Sequence, residues 1–78
     1  MSYLKEDQMT NWQQRVKDEE IHLEEKLLRL KTFIYEGAAF AALPPVEQAR
    51  LHRQIAHMRD YLAVLKERVA AFSESKQA

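Results

Sequence analysis

The 78-residue sequence contains no cysteine, one glycine, two prolines and no excess of either charge. Without cysteine, the chain can form neither a disulfide nor a thiolate metal site. A single glycine excludes a glycine-rich phosphate-binding loop, and the nucleophile-elbow, dinucleotide-binding and zinc-ligand patterns are also missing. We therefore expect a protein that is not an enzyme, with no catalytic residues, no metal and no cofactor.

Twelve basic residues balance twelve acidic ones. A neutral chain lacks the overall attraction typical of a nucleic-acid or anionic-membrane binder, so we expect no sequence-specific nucleic-acid partner. No apolar run approaches the ~20 residues that cross a bilayer. The first residues lack the basic and apolar regions of a signal peptide, which predicts a cytoplasmic protein with no membrane partner.

Scarce glycine and proline, with abundant alanine, leucine, glutamate, lysine and glutamine, predict a chain that is helical nearly throughout. Apolar residues alternate at spacings of four and three in the second half, as in a helix that presents one seam to partner helices. These residues are Leu51, Ile55, Met58, Leu62, Leu65, Val69 and Phe72. The corresponding seam of the first half contains Val16, Leu23, Leu27, Leu30 and Ile34, and Glu20 interrupts it.

We predict an all-α fold, an antiparallel helical hairpin of two long helices at about 11–36 and 45–72, joined by a turn at 37–44. Residues 1–10 are expected to form an N-terminal arm or short helix, and 73–78 a frayed tail. Gly37 is expected to cap the first helix in the left-handed conformation, and Pro45 to open the second. If the turn centres near Phe40, residue i lies beside roughly residue 81 minus i, to within about one helical turn.

This alignment places the acidic residues between Asp18 and Glu25 opposite a basic stretch of the second helix. The basic residues are Arg53, His57, Arg59 and Lys66. We expect ion pairs between the helices, which would help to set their register although each exposed pair contributes only about 0–1 kcal/mol.

A chain this short gains little net stability from its own core, so we predict a homo-oligomer, first a dimer that forms a four-helix bundle, or a larger helical assembly. The core or oligomer seam comprises Leu23, Leu27, Leu30, Ile34, Leu51, Ile55, Met58, Leu62, Leu65 and Val69. Two further lines recur every seven residues and enlarge the packing surface. They are Ile21, Leu28 and Tyr35 on the first helix and Ala49, Ala56, Ala63 and Ala70 on the second.

Four features are candidates for function. Glu20 is a register-fixing polar residue, an edge carboxylate or, least favoured, a ligand. Glu19 and His22 have the spacing of di-iron bundle ligands, although a solvated helix face is the preferred interpretation. The third is an anion or nucleotide patch at Arg50, Arg53, Arg59 and Tyr61. The alternative for these basic residues is pairing with the acids of the first helix. The fourth is a partner surface at Trp12, Ile21, Leu28 and Tyr35.

Several short segments carry a resemblance to a known family. They are Trp12-Gln-Gln-Arg-Val16, Leu30-x-x-Phe33-Ile34, Phe40-x-x-Leu-Pro44, Gln48-x-Arg-Leu51 and Glu67-Arg68-Val69. Over about residues 12–72 the chain resembles the crAssphage-related small uncharacterised helical-hairpin proteins of phages and prophages. The resemblance implies a phage gene product that acts in the host bacterial cytoplasm, without implying a mechanism.

Two hypotheses of function follow. The first is a non-enzymatic phage interaction protein with a counter-defence role, which binds and modulates a host bacterial protein through its apolar helical surfaces. The alternative is an oligomeric sponge that sequesters a nucleotide-type immune signal in a basic and aromatic pocket. Zero net charge and the absence of a phosphate motif favour the first slightly.

Overall fold

The structure, a computed structural model, describes the backbone of residues 2–77 and the side-chain surroundings of residues 11–73. Within this part, the chain forms the helices α1 (Ser2–Glu36), α2 (Ala38–Ala41) and α3 (Pro45–Gln77), and no strand. The two long helices pack against each other along their lengths. The predicted all-α helical hairpin is therefore confirmed.

Both long helices are longer than the sequence pattern indicates. α1 begins at Ser2 rather than at about Asn11, and α3 ends at Gln77 rather than near Phe72. Neither added stretch contains a glycine or proline that would stop a helix. The expected arm at 1–10 and nearly all of the expected tail at 73–78 lie outside the residues whose side chains are described.

The core lies between the facing seams of α1 and α3. Its buried members are Val16, Leu23, Leu27, Ile34, Ile55, Leu62 and Leu65, and Leu65 is completely inaccessible. Leu30, Phe40, Leu51, Met58, Val69 and Phe72 are partly buried against this cluster. Fully burying one such side chain contributes about 1.5–3 kcal/mol, so a core of this size leaves a hairpin whose stability is sensitive to single substitutions.

Gly37 does not adopt the expected left-handed conformation, so that prediction is wrong. Its φ of −106° and ψ of 146° are extended, and it precedes α2 as the N-cap residue. A Cβ at this position would lie 3.3 Å from the Phe33 carbonyl oxygen. Glycine is therefore favoured here by the close approach of the backbone and not by a positive φ.

Proline and a glutamine side chain organise the start of α3. Pro45 is its first residue, as predicted, and the Pro44 carbonyl accepts the backbone N–H of Glu47 and of Gln48. The Gln48 side-chain amide donates to the Leu43 carbonyl oxygen at 2.9 Å. This bond ties the loop back onto the first turn of α3.

Aromatic contacts close both ends of the hairpin. At the turn, the Phe40 ring stands edge-on to Phe33 at 6.2 Å and to His52 at 5.4 Å. At the opposite end, Trp12 meets Phe72 with ring centroids 5.5 Å apart. These contacts fix the antiparallel arrangement of α1 and α3.

The register differs from the predicted one. Trp12 lies beside Phe72 and Glu24 beside Lys66. A turn centred at Phe40 would instead place Met9 beside Phe72 and Arg15 beside Lys66. The reason is that Phe40 belongs to α2, and the chain turns after it, at Ala42 and Leu43. The offset is three residues at Phe72 and nine residues at Lys66, which is about one to two and a half helical turns.

Most of the predicted ion pairs between the helices do not form. Among residues 11–73, Lys66 Nζ meets Glu24 Oε1 at 3.1 Å across the hairpin, and Arg50 meets Glu47 at 3.2 Å within α3. The shifted register moves the acidic stretch away from Arg53 and Arg59 and towards the C-terminal part of α3. Arg53 and Arg59 therefore remain without a described carboxylate partner, and Glu20 is half-buried at the edge of the seam.

Candidate anion-binding site

One side of α3 forms a shallow recess in which basic and aromatic side chains come together. It is lined by Arg50, Arg53, Gln54, His57, Met58 and Tyr61. These residues are separated by three or four positions, which in a helix places them on one face. All of them belong to the same helix, so the backbone of α3 fixes their positions relative to one another.

The structure unites three of the four predicted anion contacts and separates the fourth. Arg50, Arg53 and Tyr61 line the recess, whereas Arg59 does not. Arg59 follows His57 by two positions, which is about 200° of helical rotation. It therefore faces another side of α3 and is not part of the site.

The recess is basic, because two guanidinium groups and an imidazole line it and no carboxylate does. Arg50 is engaged by Glu47, but the two side chains are 60% and 42% exposed, and such a pair contributes only about 0–1 kcal/mol. A phosphate could replace this partner at small cost. Met58 is half-buried beside the core, and Tyr61 is 45% exposed, which leaves its ring free for contact.

Tyr61 also borders a second recess, formed mainly by α1. That recess is lined by Arg15, Asp18, Glu19, His22, Leu23, Lys26 and Tyr61. Its lining carries both signs of charge, unlike the basic recess of α3. Tyr61 thus stands between a surface suited to an anion and a surface that can donate or accept hydrogen bonds.

The arrangement is suited to binding a phosphate-bearing ligand. Guanidinium groups donate paired hydrogen bonds to phosphate oxygens, and a tyrosine ring offers a face on which a base can stack. Both elements lie within the three helical turns from Arg50 to Tyr61. The site therefore has the parts needed for recognition of a small anion that carries an aromatic group.

Sequence reasoning counted His57 in the basic stretch of the second helix but not among the named contacts. It missed Gln54 and Met58 as lining residues and did not identify the recess of α1. A sequence signal for His57, Gln54 and Met58 was present. Gln54 and His57 continue the spacing of three or four positions from Arg50, and Met58 lies beside them. No sequence signal identifies the α1 recess, because its lining depends on where Tyr61 lies relative to α1.

The other predicted candidates have different surroundings. Glu19 and His22 share the α1 recess, but the described residues contain no group of three or more potential metal ligands. Trp12 contacts Phe72 and remains 46% exposed. Ile21, Leu28 and Tyr35 are exposed, as are Ala49, Ala56, Ala63 and Ala70 of the second line.

None of the described helical stretches is long and apolar enough to cross a membrane. No curated protein and no solved structure matches the chain significantly. The sequence model of one family, Sequestin, matches residues 10–71. This match includes every seam residue of the two helices except Phe72, and every residue that lines the two recesses beside Tyr61. The chain therefore belongs to the Sequestin family.

Proposed function

We propose that the protein is a non-enzymatic binding protein that sequesters a nucleotide-type signal at the basic recess of α3. The observation that carries this proposal is the convergence of Arg50, Arg53 and Tyr61 on one face without a lining carboxylate. The family name, Sequestin, supports sequestration rather than catalysis. This is the alternative that sequence reasoning ranked second.

In this proposal, the phosphate of the ligand lies between Arg50 and Arg53, and its base stacks on Tyr61. The arginine side chains supply the charge-assisted hydrogen bonds, and the ring contributes about 1–3 kcal/mol of stacking. Because the recess is open, the ligand stays partly hydrated and salt weakens its binding. The host context implied by the resemblance, a phage product acting against bacterial defence, belongs to the same proposal.

Isothermal titration and thermal shift against cyclic mononucleotides, cyclic dinucleotides, adenosine and inorganic phosphate test the proposal. A ligand that binds only the folded protein raises its melting temperature. We expect stabilisation by at least one nucleotide and none by adenosine, which lacks the phosphate. The proposal is contradicted if adenosine alone stabilises the protein, or if none of the nucleotides does.

Two arginine substitutions locate the site. Arg53→Ala removes a recess guanidinium and is expected to weaken nucleotide binding by roughly 10–100-fold, as for the loss of one charged hydrogen bond. Arg59→Ala is the matched control, because it removes the same group from α3 outside the recess. Equal losses for the two variants would place binding elsewhere.

The second candidate is capture of a host protein through the exposed line of Ile21, Leu28 and Tyr35. Its support is that these side chains are 50–65% exposed although they are large and apolar. It predicts that Leu28→Glu abolishes capture while Arg53→Ala does not. The nucleotide proposal predicts the reverse for ligand binding, so the same two variants distinguish the functions.

A further inference from the structure

The recess of α1 adjoins the basic recess of α3 and shares Tyr61 with it. Its charged and polar members stand at positions 15, 18, 19, 22 and 26, a spacing that places them on one face of α1. The buried Leu23 lies among them. The lining therefore combines groups that donate hydrogen bonds with carboxylates that only accept them.

The opposite charges of the α1 recess do not pair with one another. Arg15 and Glu19 are separated by four positions, a spacing at which a helix allows an ion pair, yet none of the ion pairs within residues 11–73 involves a residue of this recess. Asp18 accepts a hydrogen bond at 3.0 Å from the Gln14 side-chain amide through Oδ1, which orients its carboxylate. Both carboxylates thus keep oxygens that can accept from a ligand.

The charges of the α1 recess also cancel. The cations Arg15 and Lys26 balance the two carboxylates, so with His22 neutral the lining has no net charge. A second phosphate would gain little there, because repulsion by the carboxylates offsets attraction by the cations. A neutral group that carries both donors and acceptors is the better match, and the hydrogen-bonding edge of a nucleobase is such a group.

We infer that the α1 recess recognises the base of the ligand, and that this base is a purine with an exocyclic amino group, adenine or guanine. The inference rests on the proposed function, which places the phosphate at Arg53 and the base on Tyr61. Because Tyr61 lines both recesses, a base stacked on its ring, with the phosphate on one side, presents its far edge to α1. A purine extends farther across the ring than a pyrimidine, since it has a second fused ring.

The carboxylates of Asp18 and Glu19 select the amino group. An ionised carboxylate only accepts hydrogen bonds, so it requires an N–H on the base, as when Asp or Glu accepts from the amino group of cytosine in DNA. Arg15 and Lys26 donate to ring nitrogens or a carbonyl of the same base. Hypoxanthine offers those acceptors but has no exocyclic amino group, so the recess binds it less tightly.

Titration calorimetry of the full chain with cyclic adenosine, guanosine and inosine monophosphates tests the inference, because the inosine compound is the matched ligand that lacks the amino group. We expect the adenosine or the guanosine compound to bind at least about tenfold more tightly than the inosine compound. Equal affinities for all three overturn the inference. The proposed function stands in that case if Arg53→Ala still weakens the binding of all three.

A double variant, Asp18→Ala with Glu19→Ala, removes both carboxylates and should reduce the preference over the inosine compound to below about threefold. Glu25→Ala is the control, because it removes an exposed carboxylate of α1 outside this recess, and it should retain the preference. Loss of negative charge strengthens the binding of every phosphate, so the ratio of affinities is the quantity to compare.

A preference that survives in the double variant, or that is lost equally in the control, overturns the assignment to Asp18 and Glu19. Failure of all three cyclic nucleotides to bind also overturns the inference. The wider ligand panel and Arg53→Ala then decide the proposed function separately.

Discussion

Trp12 and Phe72 meet edge-to-face, with ring centroids 5.5 Å apart and planes at 78°, at the end of the hairpin opposite the turn. The contact joins residues separated by sixty positions in the sequence. Lys17 adds to it, with Nζ 5.9 Å from the centre of the Phe72 ring. The open end of the hairpin is therefore held by an aromatic pair, which compensates for the lack of a covalent link there.

Trp12→Ala is expected to lower the free energy of unfolding by about 1–2 kcal/mol. The aromatic pair itself contributes about 0.5–1.5 kcal/mol, and the rest is lost apolar contact of a side chain that is half-exposed. Urea unfolding followed by circular dichroism measures the change. Val46→Ala, at an exposed position on α3, should stay within about 0.5 kcal/mol of wild type, and an equal loss there would contradict the assigned role of Trp12.

Leu65→Ala should be far more damaging than the same truncation one residue earlier. Leu65 is completely buried in the core, and Val64 beside it is 51% exposed. Removing a buried leucine costs about 2–5 kcal/mol, which is a large share of the stability of a small domain. Thermal melts of Leu65→Ala and Val64→Ala compare the two, and similar melting temperatures would show that the seam is misplaced.

Gly37→Ala is expected to change stability by less than about 1 kcal/mol. The extended φ of −106° is open to alanine, and replacing glycine stabilises by about 0.4–1 kcal/mol through the unfolded chain. The 3.3 Å approach to the Phe33 carbonyl opposes this gain. Chemical unfolding measures the balance, and a loss above about 1 kcal/mol would contradict the prediction by showing that the contact with Phe33 outweighs the gain from the unfolded chain.

Tyr61 substitutions should separate stacking from hydrogen bonding in ligand capture. Tyr61→Phe keeps the ring and is expected to retain nucleotide affinity within about threefold, whereas Tyr61→Ala removes about 1–3 kcal/mol of stacking. Titration calorimetry with the nucleotide that gives the largest thermal shift provides the measurement. If both variants lose affinity equally, the hydroxyl and not the ring makes the contact.

The sequence was sufficient for the hairpin because its signal is local. Spacings of four and three along α3 predict a buried seam, and the residues that the structure buries there include Ile55, Leu62 and Leu65. Pro45 likewise marks the start of α3 through its own geometry. These features depend on helical periodicity and the properties of one residue type, which can be read without knowing the tertiary arrangement.

The register and the ion pairs could not be read in this way. They depend on where the chain turns, and the short helix α2 moves that point from Phe40 to Ala42 and Leu43. The displaced turn separates the acids of α1 from Arg53 and Arg59, and leaves Lys66 with Glu24. Arg59 shows the same limit at the candidate site. It is close to Arg53 in the sequence, but helical rotation places it on another side of α3.

The confinement of the basic recess to a single helix has a consequence for how the family can diversify. Arg50, Arg53 and His57 are exposed, so they can be exchanged without repacking the buried seam that holds α3 to α1. On the proposed function, substitutions at these positions would alter the ligand while the hairpin stays constant. One helical scaffold would then suit several anions that differ in chemistry.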